Sequence, residues 1–235
     1  MKLNTNSNTY ILAYASLLVI AVAFVLAYFS QALKPIQDKN VALDKKKQII
    51  AALNIRDVND NQVEEYYKKL VEADEIINEK NEVISAGKPG GENDGFKLNG
   101  GDFKAGKLAL FVCNVDGQKK YVMPVYGMGL WGGISGYIAI NADKETIYGV
   151  YFNHEGETAG LGAEIKDNQK WQQQFCGKHL FADGNQDAVA LSVCKKVDNP
   201  ATQVDGVSGA TLTCDGVTRM IHEGLGKYLV FLKDK

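Results

Sequence analysis

Leu108-Ala109-Leu110-Phe111-Val112-Cys113-Asn114-Val115 and Lys119-Lys120-Tyr121-Val122-Met123-Pro124-Val125-Tyr126 are two β-rich runs on either side of Asp116-Gly117. Asp-Gly between such runs predicts a tight hairpin turn. Ile134–Asn141 and Glu145–Asn153 flank Ala142-Asp143-Lys144 in the same way, giving four strands in sequence. Asn168–Cys176 reads as a helix carrying Trp171 and Phe175, and Ala188–Val197 as a further strand. At the C-terminus Val217, Met220, Ile221, Leu225, Tyr228, Leu229 and Leu232 recur at spacings of three and four, the period of one helix face. Strands joined by hairpins, with helices segregated from them, predict an α+β domain around an antiparallel sheet.

Upstream of Lys107 the pattern differs. No charged side chain occurs from Leu3 to Leu33, and Ile11–Phe29 is apolar apart from Ser16. About 20 such residues span the roughly 30 Å of a bilayer's hydrocarbon as a helix, longer than the apolar core of a cleaved signal peptide. Tyr10, Tyr14, Tyr28 and Phe29 cluster toward the ends, as suits the membrane interfaces. A retained membrane anchor is expected. Val41–Leu53 reads as a juxtamembrane helix, Val63–Ile84 as a charged surface helix, and the Gly-, Asn- and Asp-rich stretch from Gly87 to Gly106 as a long exposed loop.

With 46% hydrophobic and 23% charged residues, the remainder suffices for one moderate globular domain. The net charge is -2 and no basic block with interleaved aromatics occurs, which excludes nucleic acid as a partner. Cys113, Cys176, Cys194 and Cys214 form no C-x-x-C pair and have no histidine at ligand spacing, so a metal centre is not expected. Buried free thiols are the simpler reading, with one disulfide open in an oxidising compartment. His154, His179 and His222 are far apart, and no Ser/His/Asp or Cys/His arrangement can be placed.

Three segments carry the candidate chemistry. Asp205-Gly206-Val207-Ser208-Gly209-Ala210-Thr211-Leu212-Thr213 leads into the C-terminal helix. Small residues at such a turn let backbone approach a phosphate, and the positive end of the helix favours that charge. A plain helix start, with Ser208 or Thr211 as N-cap, is the competing reading. Pro124-Val125-Tyr126-Gly127-Met128-Gly129-Leu130-Trp131-Gly132-Gly133-Ile134 and His154-Glu155-Gly156-Glu157-Thr158-Ala159-Gly160-Leu161-Gly162 each lie at the end of a predicted strand. Their glycines bring backbone close to a planar ligand, Leu130, Trp131 and Leu161 supply apolar cover, and Glu157 and Thr158 are placed to hydrogen-bond its edge or a polyol chain.

Together with the anchor and Leu43-Asp44-Lys45-Lys46-Lys47-Gln48-Ile49, these motifs resemble the C subunit of the sodium-translocating NADH:quinone reductase over nearly the whole chain. The Ser208-Gly209-Ala210-Thr211 motif is shared with the related G subunit of Rnf electron-transport complexes, and the Leu130-Trp131-Gly132 loop favours the sodium pump. The resemblance implies FMN esterified through its phosphate to Thr211 by a flavin transferase. Asp205, Ser208, Gly209, Ala210, Leu130, Trp131, Gly132, Glu157, Thr158, Leu161 and Gly162 would surround it. It implies an electron relay inside a six-subunit membrane complex, with membrane lipid around the anchor and no complete active site in this chain. The expected organisation is an N-terminal tail (1–9), a transmembrane helix (10–31), juxtamembrane helices and a Gly-rich loop (32–106) and an FMN-binding domain (107–235). Lys34, Lys39, Lys45, Lys46 and Lys47 after the helix argue for a cytoplasmic body. The resemblance implies the periplasmic side, and is preferred because a domain of this size can translocate despite flanking charge. A membrane-anchored flavin-binding regulatory module is a rival of another class.

Overall fold

The computed structural model describes residue 5, residues 7–183 and residues 185–234. Most of the tail expected over residues 1–9 lies outside the described residues. The chain divides between Asp44 and Lys45 into two units. Helix α1 (Asn8–Ala52) supplies the first and contributes its last two turns to the second. It is long and apolar enough to cross a membrane. Leu17, Phe24, Leu26 and Tyr28 are each about two-thirds exposed or more. The expected juxtamembrane helix is therefore the end of α1 and not a separate element. There Lys46, Ile49, Ile50, Ala51 and Ala52 are buried.

The second unit is built on a six-stranded antiparallel sheet in the order β2-β1-β3-β4-β5-β6. Its strands are β1 (Val71–Ile77), β2 (Val83–Ser85), β3 (Leu108–Val115), β4 (Gln118–Met128), β5 (Gly133–Asn141) and β6 (Ile147–His154). The β3–β4 turn is as expected: Asp116 and Gly117 have φ of 51° and 79°, the left-handed pair that a two-residue hairpin requires.

The helix expected over Val63–Ile84 is corrected. Only α2 (Val63–Leu70) is helical, and the chain then becomes β1, paired with β3 so that Asp74 faces Phe111. Glu72, Asp74 and Glu75 hide this strand in the sequence. Asp74 is fully buried, and it is satisfied because the following segment wraps it: the amides of Lys88 and Asp94, both at 3.1 Å, and of Phe96 donate to its carboxylate. The stretch read as an exposed loop is thus partly core. It holds a 3-10 turn (Gly95–Lys97) and α3 (Gly100–Lys104), whose N-cap Asn99 forms a reciprocal capping box with Asp102. Phe96 and Phe103 are buried.

Short helices α4 (Glu164–Asp167) and α5 (Gln169–Gln173) follow β6; the helix expected over Asn168–Cys176 is the shorter α5, and Trp171 and Phe175 pack on Phe152. The strand predicted over Ala188–Val197 shrinks to β7 (Ser192–Cys194), paired in parallel with β8 (Gln203–Asp205). Helix α6 (Thr211–Gly226) and α7 (Leu229–Lys233) close the chain. Val217, Met220, Ile221, Leu225, Tyr228 and Leu232 are essentially fully buried, each aliphatic one contributing about 1.5–3 kcal/mol by burial. Helix α6 lies close on β4 because glycines meet there. A Cβ on Gly216 would stand 2.5 Å from the Met128 carbonyl oxygen, and one on Gly127 would stand 2.7 Å from the Met220 Cβ. All four cysteines are free, with Cys113 and Cys214 buried.

Candidate functional site

Register brings the three motif segments to one end of the sheet. Met128 pairs with Gly133, so the β4–β5 connection is a tight loop closed by a Gly129 N–H to Gly132 carbonyl bond of 2.9 Å. Ile134 pairs with His154, which starts the next loop beside the first. The Gly216–Met128 approach holds the start of α6 against the same loop.

A pocket of about 200 Å³ opens at this meeting point. Thr211, exposed, begins α6, and Ala210 is its N-cap with no side-chain capping bond. Neither Ser208 nor Thr211 caps the helix, so the plain helix-start reading loses its mechanism. Gly209 (φ 74°) turns the chain just before it, and a Cβ there would come within 2.8 Å of Leu161 Cδ2. Leu130, Thr158, Leu161 and Leu212 line the opening, and all four are exposed. Trp131 stands beside it, 69% exposed, which excludes the plain core role open to it in the sequence.

Beneath the opening lies Glu157, buried, with its carboxylate turned inward. Oε1 accepts the Trp131 N–H at 3.0 Å and Oε2 accepts the Thr213 hydroxyl at 2.6 Å. Its own N–H donates to His154 Nδ1 at 3.2 Å, which makes that nitrogen the unprotonated one. Burial disfavours the charged carboxylate. Bonds from the Thr213 hydroxyl and the Trp131 and Leu130 amides outweigh it and hold the group below the usual glutamate range. Gly129 and Gly162 flank this carboxylate so closely that a Cβ on either would collide with its oxygens.

Not every predicted site residue meets Thr211. Asp205 lies at the end of β8, and its backbone carbonyl accepts the Trp171 indole N–H at 2.8 Å. Ser208 lines a separate cavity with Trp171 and Asn168. Gly132 serves through its backbone, closing the β4–β5 loop. Sequence reasoning passed over Thr213 and Gly129, whose part depends on Glu157. Their only local signal was membership in the motifs themselves. A larger cavity, about 720 Å³, lies across the same loop between Tyr126, Arg219 and Lys104, without a threonine at a helix start.

An uncapped helix start, an exposed hydroxyl and surrounding exposed apolar side chains fit a phosphate-bearing planar cofactor. Residues 129–226, which include all three motif segments except the first glycine loop's opening residues, match the FMN-binding domain family. The C subunit of the Na(+)-translocating NADH-quinone reductase from Haemophilus ducreyi is 31% identical over 99% of this chain and 97% of its own. That of Pasteurella multocida is also 31% identical, over 92% and 91%. The crystal structure of its counterpart from Parabacteroides distasonis matches 86% of this chain and 98% of its own, at 36% identity and a TM-score of 0.78. NqrC of Shewanella oneidensis matches 83% of this chain and 100% of its own, at 27% identity and a TM-score of 0.65. With that extent of likeness, and with an FMN-binding domain around Thr211, the chain belongs to the NqrC family, the C subunits of the Na(+)-translocating NADH-quinone reductase.

Proposed function

We propose that this flavoprotein bears FMN as a phosphoester on Thr211 and relays electrons within a sodium-pumping NADH:quinone reductase. The observation that carries the reading is the exposed Thr211 hydroxyl at the uncapped start of α6, ringed by Leu130, Leu161 and Leu212. FMN, when bound, takes up and passes on electrons singly or in pairs. The chain's own contribution is attachment, orientation and shielding. The α6 amides and the helix dipole would hold the phosphate, and Thr158 would hydrogen-bond the polyol. Leu130, Trp131 and Leu161 would cover one apolar face. The pocket is smaller than the roughly 300–1,000 Å³ usual for sites that enclose a ligand. Such an open site holds a cofactor weakly by contact alone, and an ester at Thr211 supplies the retention that the walls do not.

In this reading residues 10–31 cross the cytoplasmic membrane, and 32–106 and 107–235 form a body on its periplasmic side, where a flavin transferase matures it. The other five members of the complex would donate and accept the electrons, since no nicotinamide fingerprint occurs in this chain. The test is intact mass and visible spectrum of the full chain made with and without a flavin transferase. A yellow protein heavier by one esterified FMN, only when the transferase is present, is expected. Colourless, unmodified protein under both conditions would refute the assignment. For sidedness, alkaline phosphatase fused at the C-terminus is expected to be active, and an inactive fusion would place the body in the cytoplasm.

A further inference from the structure

We propose that Glu157 is the positioning residue of this site: its carboxylate ties three separate segments together and selects which threonine is presented. The inference rests on Thr211 as the acceptor, and assigns Glu157 a different task from touching the cofactor. One oxygen takes the Trp131 amide, on the β4–β5 loop, and the other takes the Thr213 hydroxyl, in the first turn of α6. Glu157 itself belongs to the loop after β6, anchored by its N–H on His154. The side chain thereby bridges the β4–β5 loop and α6 from the third segment, to which it belongs.

Two consequences follow from the geometry. Thr211 and Thr213 both stand in the first turn of α6, two residues apart, but Thr213 is buried with its hydroxyl donated to Glu157, whereas Thr211 is exposed. The acceptor is thereby chosen by occupation of its neighbour. Trp131, although 69% exposed, is held by its backbone, so the loop presents an apolar side chain to the opening without burying it. Gly129 and Gly162 leave room for the carboxylate to reach both partners, which a β-carbon at either position would deny.

Reach counts for more than charge in this role. Glutamine keeps an oxygen for the backbone amides and can donate its NH2 to the Thr213 oxygen, while aspartate keeps the charge and is one methylene too short. The experiment uses the full chain with flavin transferase and its flavin donor, following the rate at which the Thr211 peptide gains flavin. Amide exchange of unmodified Thr211→Ala protein, with each Glu157 variant added, is read beside it. Glu157→Gln is expected to label within about threefold of the parent, and Glu157→Asp about tenfold or more slower, the effect of leaving a buried group unpaired. In Glu157→Asp the Trp131 amide is expected to lose protection by about tenfold while Val122 and Ile138 in the sheet do not. Should Glu157→Asp not fold, Thr213→Val replaces it, with slower labelling expected and Trp131 protection retained.

Parental labelling by whichever of these two variants folds would overturn the proposal. So would Glu157→Gln as slow as Glu157→Asp, or protection lost uniformly across the sheet. Failure of the acceptor assignment looks different: the parent would carry flavin elsewhere or nowhere, and the Trp131 exchange result would still stand.

Discussion

Asp74 and Glu157 are two buried carboxylates that use one device for opposite ends. Each gathers donors from distant segments, and each sits against glycine: Gly91 beside Asp74, Gly129 and Gly162 beside Glu157. Around Asp74 the gathered segment is closed over, with Phe96 buried above it and the amides of Lys88, Asp94 and Phe96 all turned inward. Around Glu157 the gathered loops turn their side chains out, leaving Leu130, Trp131 and Leu161 exposed at a rim. The same inward hydrogen bonding seals a loop in one place and leaves an open apolar edge in the other. What differs is the neighbouring side chain: Phe96 beside the Asp74 bonds is buried, whereas Trp131 beside the Glu157 bonds is 69% exposed.

Asp74→Ala should separate the two most strongly. It leaves the amides of Lys88, Asp94 and Phe96 without their acceptor, at a cost of about 2–5 kcal/mol and roughly 5–15 °C in melting temperature. Flavin loading per folded molecule should stay at the parental level, and a proportional loss would mean the two knots are one. Gly162→Ala comes next, expected to cost about 1–3 kcal/mol because a Cβ there runs into Glu157 and Thr213. Here loading should fall with stability, and a stable, fully loaded variant would contradict the crowding seen around Glu157.

Acid acts on the second knot in a defined range. Glu157 titrates below its ordinary value in the fold, held there by its donors against burial. Its contribution is complete above the ordinary glutamate pKa of about 4.3 and fades as pH falls through the lower folded value. Protection of the Trp131 amide, corrected for intrinsic exchange, should therefore be flat near neutrality and decline only below about pH 4. A decline already near pH 6 would contradict this. The smallest stability effect is expected from Trp131→Ala, within about 0.5 kcal/mol because the ring is exposed. Attachment should survive, while fluorescence and solvent access of the bound flavin rise. Unchanged spectra there and in Leu161→Ala would remove this rim from the site.

The strands β3–β6 and the buried face of α6 were legible because their signals are local: alternation, an Asp-Gly turn, and apolar spacing of three and four. Strand β1 was not, because its acidic residues contradict a buried strand until the segment from Lys88 to Phe96 folds over Asp74. Thr211 stands out as a candidate in its nine-residue run once that run is read together with the two glycine loops. The bonds of Glu157 could not, since Trp131 and Thr213 lie 26 and 56 residues away in the chain. Nor could the sequence tell that Asp205 and Ser208, inside that run, do not line the pocket at Thr211.

Fragmentation of the labelled peptide spanning Asp205 to Arg219, from full-length chain matured with a flavin transferase, is the decisive test of Thr211 as the acceptor. All of the flavin phosphate is expected on Thr211 and none on Ser208 or Thr213, with Thr211→Ala folded and colourless and Thr211→Ser partly labelled. Flavin on Thr213 or Ser208 of the parent chain, or covalent flavin persisting in Thr211→Ala, would contradict it.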